Sequence, residues 1–237
     1  MILINKQSLK LAELAPKEES RYTLNAVNIT RHETVCTDGH MLVRVSHPVA
    51  DAKNFPMTEG FDAGKDFESI LLPVAAAKEI CKAVPSKTTI PILHHAALSV
   101  TQDEDGAHVK VAVNDLENPQ VFSPRPMTGK YPNWQMVMPK TEPKMSIELD
   151  ASKLLALLKY AAHFTSDNNN RIRLSLWDSQ SPVQIDATNK DTQQGMTAVL
   201  MPVRRDDSQY PYAYQAPKPE PVAIPKISAE VETSQTA

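Results

Sequence analysis

The residues of this chain that could do chemistry are few, and their spacing favours structure over reaction. In TVCTDGHMLVRVSH (residues 34–47), Asp38 and His40 stand two apart across Gly39, so a carboxylate and an imidazole sit close in sequence. Such a pair works as an acid or base only with a third group and a pocket, and nothing nearby supplies a nucleophile or an orienting partner. The same three residues also suit a tight turn, because glycine after aspartate between two alternating apolar stretches is hairpin chemistry. Asp38 is then a turn residue and His40 a strand-edge residue. His94 and His95 are adjacent, so in a strand they point to opposite faces and do not readily share a metal. The six glycines include no phosphate-binding loop. The expectation is therefore no catalytic residue, no metal and no cofactor.

Composition narrows the class further. A chain of 237 residues with 41% hydrophobic side chains can build a sizeable core, in one large domain or two ordinary ones. A net charge of −3 excludes a surface that is basic all over, but it allows a basic strip on an acidic body. The two cysteines, Cys36 and Cys81, lie in apolar surroundings, which points to reduced core thiols rather than a disulfide framework. No apolar run approaches the roughly 18 to 20 residues that cross a bilayer, and MILINKQ has no signal-peptide character. A cytoplasmic location without membrane contact is expected.

The elements that would carry these residues recur along the chain. Residues 7–14, 74–84 and 152–164 place apolar side chains at helical spacing, each after a short β-like lead-in, MILI, ESILLP or MSIEL. Alternating segments follow each helix: TLNAVNIT and TVCTDGHMLVRVSH, then ALSVTQ, HVKVAV and QVFS, then RIRLSLW, VQIDAT and GMTAVLMPV. The pattern predicts an α+β chain of three successive βαβββ units, a repeated supersecondary unit rather than a solenoid. Two of them fill 1–140 and the third 141–205, while the proline-rich 206–237 reads as a disordered tail. Val49 to Lys65 reads as a long connection.

Five segments then carry a resemblance. RYTLNAV (21–27), TDGHMLVRVSHP (37–48), GKYPNWQMVMPK (129–140), SPVQIDAT (181–188) and VLMPVR (199–204) resemble, in family order, motifs of the bacterial β sliding clamp of DNA polymerase III. Clamps of that family have three domains, each of two βαβββ halves, so the resemblance implies a shortened, clamp-like version with a DNA-clamp-like fold. Its third unit opens like the first half of the family's last domain and closes like the second half.

The resemblance implies a replication or repair accessory factor that is not an enzyme and docks partner proteins near DNA. An alternative is a clamp-mimicking regulator or decoy that encircles nothing; an enzyme on a clamp-like scaffold ranks last. In the family a hydrophobic cleft receives short peptides of polymerases and repair proteins. The matching residues here are Thr37, Gly39, His40 and Leu42, then Pro132 and Val137, then Met201, Pro202, Val203 and Arg204. Met41 stands where the family has arginine. Taken without the resemblance, Leu42, Val137 and Met201 would be read as core. The family's helices line a DNA channel, which makes Lys6, Lys10, Lys78, Lys82, Lys153 and Lys159 candidates for weak, sequence-independent contact with double-stranded DNA. A solvated helix surface explains the same lysines equally well. The odd number of half-units leaves residues 144–205 with an open sheet edge, so homo-oligomers are expected.

Overall fold

The computed structural model describes residues 1–16, 22–48, 50–103, 106–165 and 170–203. The tail expected over 206–237, Arg21 and Arg204 lie outside the described residues. The chain divides into two compact units, Met1–Val137 and Met138–Ala237.

The first unit contains two halves of one plan. In the first half, β1 (Ile2–Asn5) runs directly into α1 (Lys6–Lys10), and β2 (Ala26–Thr30), β3 (Glu33–Thr37) and β4 (Leu42–Ser46) follow. In the second, β5 (Ser69–Pro73) runs into α2 (Val74–Ala83), and β6 (His95–Asp103), β7 (Gly106–Val113) and β8 (Gln120–Phe122) follow. Asn5 starts α1 by accepting the Ser8 N–H on its side-chain oxygen at 3.0 Å, which satisfies an otherwise orphaned helical donor. The halves exchange their lead strands. The two sheets run β1-β6-β7-β8 and β4-β3-β2-β5, antiparallel throughout, so each half's first strand completes the other half's sheet.

That exchange makes a single core. Ile4, Leu9, Val27, Ile29, Leu72, Ile80, Leu98 and Val111 come from both sheets and both helices and are all buried together. The helices touch one another within it. Cys36 belongs to this core, where burial pushes its thiol up to about 11; Cys81 is half-buried and its thiol is raised by the same cause. The connection expected over 49–65 is irregular but packed. Its Phe55 covers the outer face of the β1-β6-β7 sheet with Leu3, Ala97 and Ala112, a burial that stabilises by roughly 1.5–3 kcal/mol. At its end the Lys65 N–H donates to the Val100 carbonyl at 2.7 Å, and Gly64 (φ +66°) passes so close that a Cβ there would lie 2.6 Å from the same oxygen.

The second unit holds α3 (Ala151–Thr165) and the antiparallel sheet β11-β10-β9, made of β9 (Ile172–Ser175), β10 (Val183–Asn189) and β11 (Gln194–Leu200). Asp150 caps α3 by accepting the N–H groups of Ser152 and Lys153 at 2.9 and 3.0 Å. These bonds hold its carboxylate below the ordinary Asp range. Asn189 donates to the Phe164 carbonyl at 2.7 Å and ties the sheet to the helix end. One expectation needs correction here: MSIEL, read as a lead strand, is not part of any strand. A strand needs a partner, and in the first unit the partner of each lead strand is the opposite half. TLNAVNIT likewise begins as a 3₁₀ turn at Tyr22–Leu24, with its strand starting at Ala26.

Candidate docking surface and the helix lysines

The DGH turn is a four-residue hairpin loop between β3 and β4, closed by the pair Thr37 and Leu42. Gly39 takes φ +93°, the left-handed conformation that glycine adopts without strain. The Asp38 carboxylate accepts the N–H groups of His40 and Met41, both at 2.8 Å. Those two bonds, the Met41 bond foremost, keep its acid strength above that of an ordinary aspartate. Thr37 Oγ1 donates to the Met41 carbonyl at 2.6 Å and accepts the Gly39 N–H at 3.1 Å. Asp38 is thus bound up in shaping the loop, and His40 projects at its exposed tip.

A distant segment anchors this loop. The Thr37 N–H donates to the Tyr131 hydroxyl at 3.1 Å, across 94 positions of sequence. Tyr131 is buried, and burial raises its phenol well above the ordinary range. Its neighbour Pro132 is exposed, Trp134 is buried, and a 3₁₀ turn at Trp134–Met136 carries the chain to Val137. On the two segments that this bond joins, apolar side chains stand in water: Met41, Met136 and Val137 are exposed, Val137 at 72%. Thr37 is buried and Leu42 half-buried.

A core assignment therefore fails for Val137, and it fails equally for Met201, which is 63% exposed. In the second unit Met201 and Val203 are exposed beyond the end of β11, with Pro202 half-buried between them. Apolar side chains held in water on an ordered backbone suit the capture of a partner's apolar anchors, and methionine repacks readily around different ones. Sequence reasoning singled out Met41 but missed Tyr131 and Met136 as parts of the first unit's surface. The signal for Tyr131 was KYPNW, an aromatic beside the proline already singled out. A groove of about 820 Å³ lies next to it in the first unit, lined among others by Asn28, Leu71, Arg125, Tyr131, Pro132 and Trp134. Of the expected pocket residues that are described, only Pro132 borders it.

The six lysines are not equivalent. Lys6 is half-buried, and its ammonium donates to the Val84 carbonyl at 3.1 Å and to Ser86 Oγ at 2.6 Å, so it caps the end of α2 from α1. Lys10, Lys78 and Lys82 are exposed on the two touching helices, with Glu13 and Glu79 also exposed. Lys153 and Lys159 are exposed on α3 in the second unit. Among the described residues no group of three His, Cys, Asp or Glu side chains could hold a metal ion. His94 and His95 spend their Nδ1 atoms on the carbonyls of Pro85 and Ile92, at 3.4 and 3.1 Å. No helix among the described residues is long and apolar enough to cross a membrane.

Comparison with known proteins agrees with this architecture. No family model matches the chain. The β sliding clamp of Synechococcus elongatus is 26% identical over 170 residues, a match covering 70% of this chain and 39% of that protein. Among solved structures, the DNA polymerase III β chain of Streptococcus pneumoniae aligns with a TM-score of 0.55 at 18% identity, over 86% of this chain and 49% of its own. The β subunit from Borrelia burgdorferi in complex with a natural product aligns at 0.58 and 14%, over 84% and 48%. The Helicobacter pylori β clamp bound to a DNA ligase peptide aligns at 0.53 and 17%, over 84% and 49%. The chain is similar to bacterial β sliding clamps and has their fold, and it spans about half or less of the length of each.

Proposed function

We propose that this chain is a sliding-clamp-like accessory factor of DNA replication or repair, which docks partner peptides beside double-stranded DNA and carries out no reaction itself. The observation that supports it most directly is the exposure of Met41, Met136 and Val137 on the two segments that the buried bond between Tyr131 and Thr37 joins. The bound turn leaves Gly39 and His40 at the surface, where they can orient a peptide backbone while Leu42 and Val137 receive apolar anchors. Met201, Pro202 and Val203 of the second unit, with Arg204, are proposed as further contacts. A DNA ligase peptide is bound in one of the similar clamps, which is the kind of ligand expected here.

The DNA contact is electrostatic and weak. Lys10, Lys78 and Lys82 present exposed ammonium groups on the first unit's two touching helices, and Lys153 and Lys159 present theirs on α3. Lys6 adds charge from a fixed position. Acidic neighbours dilute the field, so affinity falls steeply with salt.

Titration with a labelled peptide of the clamp-binding type, carrying glutamine, leucine and a terminal leucine-phenylalanine pair, tests the docking surface. Losing one anchor contact costs about 1–3 kcal/mol, roughly ten- to a hundredfold in affinity. Leu42→Ala and Met201→Ala should each weaken binding by that factor with unchanged circular dichroism. No binding by the unaltered chain, or equal binding by all three, would remove the docking reading.

A further inference from the structure

The second unit is one half of the plan that the first unit completes twice. In the first unit the lead residue two positions before the helix sits opposite the first core-facing residue of the other half's post-helix strand: Ile4 opposite Ala96, and Leu72 opposite Val27. The second unit has the corresponding parts. Segment 145–150 runs into α3 as β5 runs into α2, and β9 follows α3 as β6 follows α2.

A shared hydrogen bond fixes the correspondence. In the first unit the Met127 N–H donates at 2.9 Å to the carbonyl of Leu71, three residues before α2. In the second the Val203 N–H donates at 2.9 Å to the carbonyl of Glu148, three residues before α3. In these two halves the chain segment that follows the last strand thus returns to the same point of the lead segment. β5 accepts that bond while pairing along β2, so the same bond leaves room for segment 145–149 to pair with a strand.

Among the described residues the second unit has no opposite half. β9 stands at the edge of its sheet among the described residues. Ile172 and Leu174 pair in register with the buried Ala187 and Ile185, so they share the face that meets the helix. Leu174 is nevertheless 50% exposed, as are Leu155 and Tyr160 of α3 to similar degrees, whereas the post-helix strand residues Val27, Ile29, Ala96 and Leu98 of the first unit are all fully covered.

We propose that a second copy of this chain closes the unit. Segment 145–149 of each copy forms the fourth strand of the other's sheet, antiparallel to β9, with Leu149 opposite Ile172 and Ile147 opposite Leu174. The two α3 helices pack side by side as α1 and α2 do. Any occupant must bring both an apolar lead strand and a sheet edge ready to take one in return. A second copy brings both, and the reciprocal exchange is a twofold, self-complementary contact that also hides two open edges. The proposal stands on the second unit alone and holds whether or not the chain binds DNA.

The test is the solution mass of the full chain by light scattering after size exclusion. Wild type should elute at twice the 26.2 kDa chain mass. Leu174→Glu, at a site already half in water, and Ile147→Lys should each drop to the single-chain mass. Mixing these two variants should restore the double mass, because one strand pair then sets lysine against glutamate and the other is unaltered. Should Ile147→Lys fail to fold, a mixture of Ile147→Cys and Leu174→Cys chains in a Cys81→Ala background should cross-link on oxidation. A wild type of single-chain mass at every concentration, a double mass that Leu174→Glu leaves intact, or a mixture that neither recovers nor cross-links would overturn the proposal.

Discussion

Tyr131→Phe isolates the contact that joins the hairpin turn to the proline segment. The substitution keeps the ring and its packing among the buried side chains and removes one oxygen, the acceptor of the Thr37 N–H at 3.1 Å. Thr37 is buried, its Oγ1 is already committed to Met41 and Gly39, and the bond its amide makes to Tyr131 is itself buried. A buried donor left without a partner costs about 1–3 kcal/mol, against about 0.5–1.5 for the net worth of an ordinary bond. In a unit of this size that shifts a thermal midpoint by roughly 3–9 °C. Hydrogen exchange of the full chain, read by mass spectrometry on peptides spanning Thr37, should show the turn losing protection by a factor of roughly ten to a hundred, with β6 and β7 unchanged. Peptide affinity should fall with it, since this bond joins the two segments that carry Met41, Met136 and Val137. Unchanged protection at Thr37 together with an unchanged midpoint would refute the reasoning, because it would mean that water reaches the amide and the bond positions nothing.

Three further outcomes follow from other contacts. Gly64→Ala should lower stability by about 1–3 kcal/mol, seen as a lower urea midpoint at constant slope, because a Cβ would meet the Val100 carbonyl at 2.6 Å and φ is +66°; an unchanged midpoint would mean that the connection shifts freely. His47, whose Nδ1 donates to the Arg31 carbonyl while its Nε2 accepts from Thr34 Oγ1 at 3.0 Å, is held neutral because burial pushes it below its usual 6.5. The folded state then binds fewer protons than the unfolded one, so urea-measured stability should be full above about pH 6.5 and decline as the pH falls from there toward the depressed value, a slope that His47→Gln should remove. Lys6→Met should cost about 1 kcal/mol through the lost cap on Val84 and Ser86, while Lys78→Ala and Lys82→Ala should instead flatten the dependence of DNA retention on log salt by about one unit each; equal effects of all three on both readouts would argue against separate roles.

What the sequence determined by itself is what short range determines. The three helices stand where apolar periodicity puts them, and the DGH turn stands where aspartate and glycine interrupt two alternating stretches, because both signals arise within a few residues of the structure they specify. The five spaced motifs also pointed to the clamp fold. Contacts across long separations were not readable. Nothing local says that Tyr131 receives the Thr37 amide, that Lys6 caps α2, or that Phe55 lies over β1 and β6. Nor does local hydrophobicity tell core from surface: Val137 and Met201 look like core residues in sequence and stand in water, since burial is decided by what packs against a side chain. MSIEL shows the limit most clearly. It precedes its helix as β1 and β5 precede theirs, yet it is no strand, because a strand exists only when another chain segment satisfies its backbone, and in the first unit that segment comes from the opposite half.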